Sequence, residues 1–255
     1  MRFSVLASGS KGNACYVETD NTRILIDAGL SCRELLKRFE IIGIETACLD
    51  AIIITHEHSD HIKGAGPISR KFNSTVYANS ATMQRCNKSL GNTRVDDGLR
   101  TGESLVINDI TIETFAKNHD AVDPIGLILS SNGSRLGILT DAGKTTPVLE
   151  ERLQDCTGVL LEFNHDIDML DNGPYPYYLK KRIKGSNGHL SNDQAGMLLK
   201  TLSREGLRHV VLAHLSEVNN TPERALAKAR ESLSECSAIP VHVSYQDYPC
   251  RILEI

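Results

Sequence analysis

The chain has 255 residues, a formal charge of −4, 40% hydrophobic and only 5% aromatic residues; this suits one large α/β domain with an aliphatic core and excludes a generally basic nucleic-acid coat, though not a local basic patch. No run nears the roughly 20 apolar residues of a membrane span, and Met1 to Leu6 lacks a signal-peptide core. Seven cysteines without a C-x-x-C pair indicate free thiols in a reducing compartment, so the expectation is a soluble cytoplasmic protein.

Phe3, Val5 and Ala7 alternate with small or polar partners and predict a first strand. Ser8-Gly9-Ser10-Lys11-Gly12-Asn13 is a turn whose backbone N–H groups would reach a phosphate, although it carries no Walker pattern. Strands follow at 14–18 and 23–26, the latter ending at Asp27-Ala28-Gly29. Asp27 reads either as a turn former beside Gly29 or as a carboxylate delivered to a sheet edge. Ser31 and Glu34 form a capping box that starts a helix to about residue 39.

The β-branched run at 52–54 predicts a buried strand, and it leads into Thr55-His56-Glu57-His58-Ser59-Asp60-His61. Nine histidines scattered through the chain would not be expected to place three, with an aspartate, in six residues. A loop leaving a strand can bend several side chains toward one point, which a straight strand or one helix face cannot. Imidazole with carboxylate suits Zn²⁺, Mn²⁺ or Fe²⁺.

Farther on, Gly64 to Pro67 starts a short helix, 75–78 reads as a strand and 81–86 as a helix. Residues 105–107 and 110–115 predict a hairpin around Asn108-Asp109, followed by His119-Asp120. Strands at 125–129 and 135–139 flank Ser131-Asn132-Gly133-Ser134 and predict a second hairpin. Thr140-Asp141-Ala142-Gly143 then repeats the pattern of Ile26-Asp27-Ala28-Gly29. A strand at 159–161 ends at Glu162, and 163–189 reads as a long irregular segment. Within it, Tyr175 to Lys184 sets three tyrosines beside four cations. Two readings stand there: phosphates on Lys180, Lys181 and Arg182 with a base stacked on Tyr177, or a solvated basic face with the tyrosines packed on the core. A helix at 192–204, a strand at 209–213 delivering His214, a helix start at Thr221-Pro222-Glu223 and strands at 241–243 and 251–253 complete the chain. Helices interleaved with hairpins favour a layered α/β sandwich with mixed sheets over a doubly wound parallel sheet. No Pro/Ser linker divides the chain, which predicts one domain over 1–255.

Metal-capable side chains thus close several strands: Asp27, the His56 to His61 cluster, His119, Asp141 and His214. The layout resembles the metallo-β-lactamase fold superfamily, whose H-x-H-x-D-H signature stands here as His56-x-His58-x-Asp60-His61. The resemblance spans the whole chain and implies a four-layer αββα sandwich, two mixed sheets flanked by helices. It implies two divalent metal ions, Zn or Mn, with Fe also fitting. By it, His56, His58 and His119 hold one ion, Asp60, His61 and His214 the other, Asp141 bridges them, and Asp27 braces the histidine loop. Zinc β-lactamases commonly have Cys where Asp141 stands and lack the His61; the flavodiiron branch has Glu where His58 stands. This chain therefore resembles the dinuclear hydrolases.

Gly188-His189-Leu190-Ser191-Asn192 and Ala213-His214-Leu215-Ser216 resemble motifs of the tRNase Z-type nucleases, and resemble most the YycJ/WalJ-type group, which is associated with DNA exonuclease activity. Too few residues separate Asp141 from His214 for the inserted domain of the β-CASP class. The implied activity is a metal-dependent phosphodiesterase, a DNA exonuclease before an RNA one, in which a metal-bridging hydroxide attacks phosphorus. Asp60 and His189 are then the catalytic candidates, His189 protonating the departing oxygen. The alternative is a hydrolase of small thioesters, lactones or cyclic phosphodiesters. A metal protein acting by binding alone fits less well, because structural zinc sites are closed and Cys-rich. The implied partner is nucleic acid, DNA before RNA, with no membrane; a homodimer is allowed for.

Overall fold

The computed structural model describes residues 1–44, 48–203, 206–236 and 238–255. These form two compact units: Met1–Ala116 with Ala121–Gly133 and Tyr245–Glu254, and Lys117–Asp120 with Ser134–Ser244 and Ile255.

The first unit carries β1 (Arg2–Ala7), β2 (Ala14–Glu18), β3 (Arg23–Ile26), α1 (Cys32–Ile41), β4 (Ala51–Ile53), α2 (Ser59–Ile62), α3 (Ala65–Phe72), β5 (Thr75–Tyr77), α4 (Ser80–Leu90) and β6 (Val95–Asp96). It continues with β7 (Ser104–Ile107), β8 (Ile110–Ala116) and β9 (Ile125–Ser131). The second unit carries β10 (Ser134–Leu139), α5 (Pro147–Leu153), β11 (Gly158–Glu162), α6 (Ile167–Asn172), α7 (Tyr177–Lys184), α8 (Asn192–Leu202), β12 (His209–Ala213), α9 (Pro222–Ser232) and β13 (Val241–Val243). The last strand, β14 (Leu253–Glu254), returns to the first unit.

The strands belong to two seven-stranded mixed sheets. The first runs β14-β1-β2-β3-β4-β5-β6, antiparallel up to β3 and parallel from β3 onward. Of the second, β7, β8 and β9 form an antiparallel meander in the first unit, and β10 to β13 run parallel in the second.

The central strands are apolar runs because both faces are covered. In the first unit Leu6, Tyr16, Leu25, Ile52, Leu35 and Phe39 share one buried cluster, each large side chain contributing about 1.5–3 kcal/mol by leaving water. Two polar intrusions are satisfied in place. The Tyr16 hydroxyl donates to Glu18 Oε2 at 2.9 Å, and the buried Arg38 guanidinium donates to the Leu6 carbonyl at 2.9 Å. Ser31 caps α1 by accepting from Glu34 N at 3.3 Å, whereas the Glu34 carboxylate pairs with Lys37, also at 3.3 Å, rather than closing the box.

Three differences from the sequence reading matter for function. Segment 163–189 is not irregular: Asp166 caps α6 by accepting from Met169 N at 2.9 Å, and α7 follows Pro176. Neither helix shows a strong apolar stripe; α7 has no buried residue. The histidine cluster is not all loop, since Asp60 and His61 lie in the short helix α2. Strand β6 has only two residues, too few for a pattern, whereas helix α5 escapes the sequence reading although Thr146-Pro147 and the buried pair Leu149 and Leu153 mark it. Arg204, the expected end of the helix at 192, lies outside the described residues, and α8 closes at Leu202. Among the described residues no cysteine is in a disulfide, and no helix is long and apolar enough to cross a membrane.

Three chain segments are laced together under α2. Asn13 N donates to the Asp60 carbonyl at 2.7 Å, Gly29 N to the Asn13 carbonyl at 2.8 Å, and Ala28 N to the His61 carbonyl at 2.7 Å. The backbones approach so closely that a Cβ on Gly29 would lie 1.7 Å from the Asp60 carbonyl oxygen. Gly29→Ala is therefore expected to cost about 1–3 kcal/mol or more through forced backbone displacement, a fall in Tm of roughly 3–10 °C. A thermal melt checks this, and an unchanged Tm would contradict the close approach.

Candidate metal centre

In the first unit, β3 and β4 run parallel and release their chains at the same edge. Asp27 follows β3 with a left-handed backbone, φ 56°, which turns its carboxylate across to the loop after β4. Asp27 Oδ1 accepts from Thr55 N at 2.9 Å. Its Oδ2 accepts from the Thr55 hydroxyl at 2.9 Å and from His61 Nδ1 at 2.8 Å. Because the Thr55 hydrogen goes to Asp27, the Thr55 oxygen is left to accept from His56 Nδ1, 3.0 Å away. One carboxylate thus sets the tautomer of both histidines. Each carries its proton on Nδ1 and turns the bare Nε2 outward.

The outward nitrogens converge. His56 Nε2 lies 3.1 Å from His58 Nδ1, and the His56 and His61 rings are 4.0 Å apart. Asp60 Oδ2 lies 3.5 Å from His61 Nε2. His56 and His61 are fully buried. Asn13, held by two bonds to Gly9, places its Nδ2 3.1 Å from both Asp60 Oδ2 and His61 Nε2. Two ligands about 2.05 Å from one cation sit roughly 2.9–3.4 Å apart in octahedral or tetrahedral geometry. The 3.1 Å between His56 Nε2 and His58 Nδ1 falls in that interval, so this donor set fits a divalent cation.

In the second unit the parallel strands β10, β11 and β12 end together. Their last turns deliver Asp141, Glu162 and His214. Asp141 and His214 both have φ 55°, the same left-handed step as Asp27. Asp141 Oδ1 lies 3.5 Å from His214 Nε2, 3.8 Å from His189 Nδ1 and 3.9 Å from His119 Nε2. His119 Nδ1 faces the Gly188 carbonyl at 3.3 Å, which directs its Nε2 toward Asp141. Asp141, Glu162, His189 and His214 can each offer a ligand atom within 4.8 Å of the others.

The four do not play one part. Glu162 is fully buried, and its oxygens are already engaged. Oε2 accepts from Ala142 N at 2.8 Å and Leu190 N at 3.1 Å, and Oε1 meets His189 Nδ1 at 2.7 Å. Glu162 therefore acts through His189, fixing its ring with Nε2 outward. Burial pulls the His189 imidazolium down, but Glu162, then Asp141 and Asp120, more than offset it, raising it to about 9. His119 is pushed down to about 4, by burial first, with Asp141 opposing. The second unit thus gathers His119 and His214 around Asp141, beside His189 held by Glu162.

The remaining candidates lie on α7. Tyr177 is 81% exposed, so it does not pack on the core. Lys180 donates to the Asp171 carbonyl at 2.8 Å, Arg182 Nε donates to Asp120 at 2.8 Å, and Lys181 is exposed. Three contributors escaped the sequence reading of the site: Asn13, Thr55 and the orienting part of Glu162. For Asn13 and Thr55 the signal was present, since each adjoins a motif residue or a glycine turn.

Residues 22–215 match the family model described as a β-lactamase superfamily domain. The chain is 36% identical over 237 residues to exodeoxyribonuclease YycJ of Bacillus anthracis, covering 92% of this chain and 90% of that protein. It is 38% identical over 229 residues to exodeoxyribonuclease WalJ of Streptococcus pneumoniae, covering 88% and 85%. Among solved structures, the metallo-β-lactamase fold protein YhfI of Bacillus subtilis superposes with a TM-score of 0.75 at 16% identity, covering 98% and 99% of the two chains. Two seven-stranded mixed sheets with flanking helices are the architecture of that fold. Left-handed aspartates after β3 and β10, histidines with their rear nitrogens captured and a sequence match across both units agree: the chain is an enzyme of the β-lactamase domain superfamily, a metallo-β-lactamase-fold hydrolase related to YycJ and WalJ.

Proposed function

We propose that this enzyme is a dinuclear metal-dependent phosphodiesterase that degrades DNA from an end, both units acting as one domain over 1–255. The observation that carries the reading is the capture of rear imidazole nitrogens. His56, His61 and His119 are each held from behind, by Thr55, Asp27 and the Gly188 carbonyl, which is how proteins orient metal ligands. Its exodeoxyribonuclease relatives support the substrate.

On this reading His56, His58 and His119 hold one cation, Asp60, His61 and His214 the second, and Asp141 belongs to both. Zn²⁺ or Mn²⁺ suits the His/Asp donors. Bound there, the two cations would supply hydroxide near neutral pH and offset charge growing on the phosphate oxygens. Asn13 keeps the Asp60 carboxylate in place. Glu162 keeps His189 protonated on Nδ1 and aimed through Nε2, so that His189 can hand a proton to the departing sugar oxygen.

Asp141→Ala should lose bound metal and phosphodiesterase activity together, read by elemental analysis and hydrolysis of bis-p-nitrophenyl phosphate; retained activity would refute the shared-ligand assignment. His189→Ala should keep its metal and lose about 10²–10⁴-fold in turnover. Full activity in that variant would remove His189 from the chemistry.

The substrate is tested by offering end-labelled single- and double-stranded DNA, RNA and an S-acyl glutathione, each with Zn²⁺ or Mn²⁺. Stepwise shortening of DNA is expected. Hydrolysis of the thioester alone would move the enzyme to the small-molecule hydrolases.

A further inference from the structure

Helix α7 is amphipathic in an unusual sense. Leu179, Lys180 and Ile183 form its half-buried face, while Tyr177, Tyr178, Lys181 and Arg182 face solvent. Tyr177 is 81% and Tyr178 74% exposed, two phenol rings left in water on consecutive residues, pointing about 100° apart around the helix. Isolated exposed apolar residues need no explanation, but an adjacent aromatic pair on a rigid helix does.

The helix is held in place by its own cations. Lys184 pairs with Asp171, Lys180 donates to the Asp171 carbonyl, and Arg182 pairs with Asp120, the residue after His119. Its last turn is joined to the catalytic segment: His189 N donates to the Ile183 carbonyl at 2.9 Å and Gly188 N to the Gly185 carbonyl at 2.8 Å. A Cβ on Gly188 would lie 2.1 Å from the Ile183 oxygen, so the two backbones touch. Basic residues in the final turn also suit the negative end of the helix. That leaves Lys181, exposed and, among the described residues, with no ion pair. It sits four residues after Tyr177 and so on the same face.

We propose that α7 is a stacking platform for the strand being cut. Tyr177 and Tyr178 receive nucleobases and Lys181 meets a phosphate, while Lys180, Arg182 and Lys184 fix the helix and do not touch substrate. The inference rests on the nuclease reading above. Exposed aromatics beside a lone unpaired cation match a polyanion that carries flat bases, and they match little else in water. The spacing agrees. Tyr177 stands six residues before Ile183, about 9 Å along the helix axis. At about 3.4 Å per stacked nucleotide that is two to three nucleotides from the place where His189 is held. The enzyme would then grip unpaired bases near the end, and short oligonucleotides would be poor substrates.

The test compares wild-type holoenzyme with the Tyr177→Ala/Tyr178→Ala double variant, the matching double Phe variant and Lys181→Ala. Each is assayed on end-labelled DNA and on bis-p-nitrophenyl phosphate, which has no bases to stack. The double Ala variant should lose at least about 10-fold in kcat/KM on DNA relative to its kcat/KM on the small diester, with the loss falling on KM. The double Phe variant should recover most of it, since phenyl rings also stack. Lys181→Ala should flatten the salt dependence of KM by about one phosphate contact. An unchanged DNA-to-diester ratio in the double Ala variant, or a Phe variant as poor as the Ala one, would overturn the platform. If wild-type enzyme cleaves the small diester but no DNA or RNA, the nuclease reading itself fails, and the platform with it.

Discussion

The Asp27 carboxylate is the interaction on which the histidine cluster at 56 to 61, a candidate metal site, depends. It receives three hydrogen bonds, from Thr55 N, the Thr55 hydroxyl and His61 Nδ1. Through the Thr55 oxygen its influence extends to His56. A free imidazole is indifferent between its tautomers to within small energies, and a metal ligand must present the unprotonated nitrogen. By accepting from His61 Nδ1 directly, and from the Thr55 hydroxyl that in turn accepts from His56 Nδ1, one buried carboxylate decides which lone pairs face outward. Removing it would leave His56 and His61 in place yet undirected.

The same backbone device recurs after three of the strands that hand over a polar side chain. Asp27 and His214 sit at φ near +55° immediately after a buried strand, and Asp141 does so one residue farther on, after Thr140. For a residue with a Cβ this conformation is costly and uncommon, and aspartate tolerates it better than most. It persists here because the surrounding bonds over-determine it, as the Asn164 amide does by donating to the His214 carbonyl at 2.9 Å. The Asp-Ala-Gly repeat is therefore structural. Ala28 N donates to the His61 carbonyl and Ala142 N to Glu162. The two glycines admit a neighbouring backbone, Asp60 beside Gly29 and Ser186 with Gly188 beside Gly143.

Much of this was legible beforehand, for physical reasons. Buried strands announce themselves as β-branched runs, and β4, β11 and β12 fell within a residue or so of expectation. Helix starts with capping side chains were equally plain, as at Ser31 and Thr221. Helix α7 was not, because its inward face is only the half-buried Leu179 and Ile183, set among tyrosines and cations that read as loop. Helix α2 has four residues, too few for a pattern. Thr55 and Glu162 were overlooked as orienting groups because their roles lie in a single hydrogen bond to a neighbour's ring, and spacing along a chain does not encode which nitrogen of a histidine is held. The basic string around Lys181 presented a phosphate clamp on paper, whereas ion pairs with Asp120 and Asp171 occupy two of its cations.

The central claim of the proposal is that the histidine cluster at 56 to 61 and Asp141 hold a pair of cations. Anomalous diffraction from crystals of the Zn²⁺- or Mn²⁺-loaded enzyme, collected at the metal's absorption edge, reads it directly. Two peaks about 3.5–4 Å apart, with Asp141 contacting both and the histidines from 56 to 61 contacting each, are expected. A lone peak enclosed by Asp141, Glu162, His189 and His214, with His56 and His58 bare, would contradict the account.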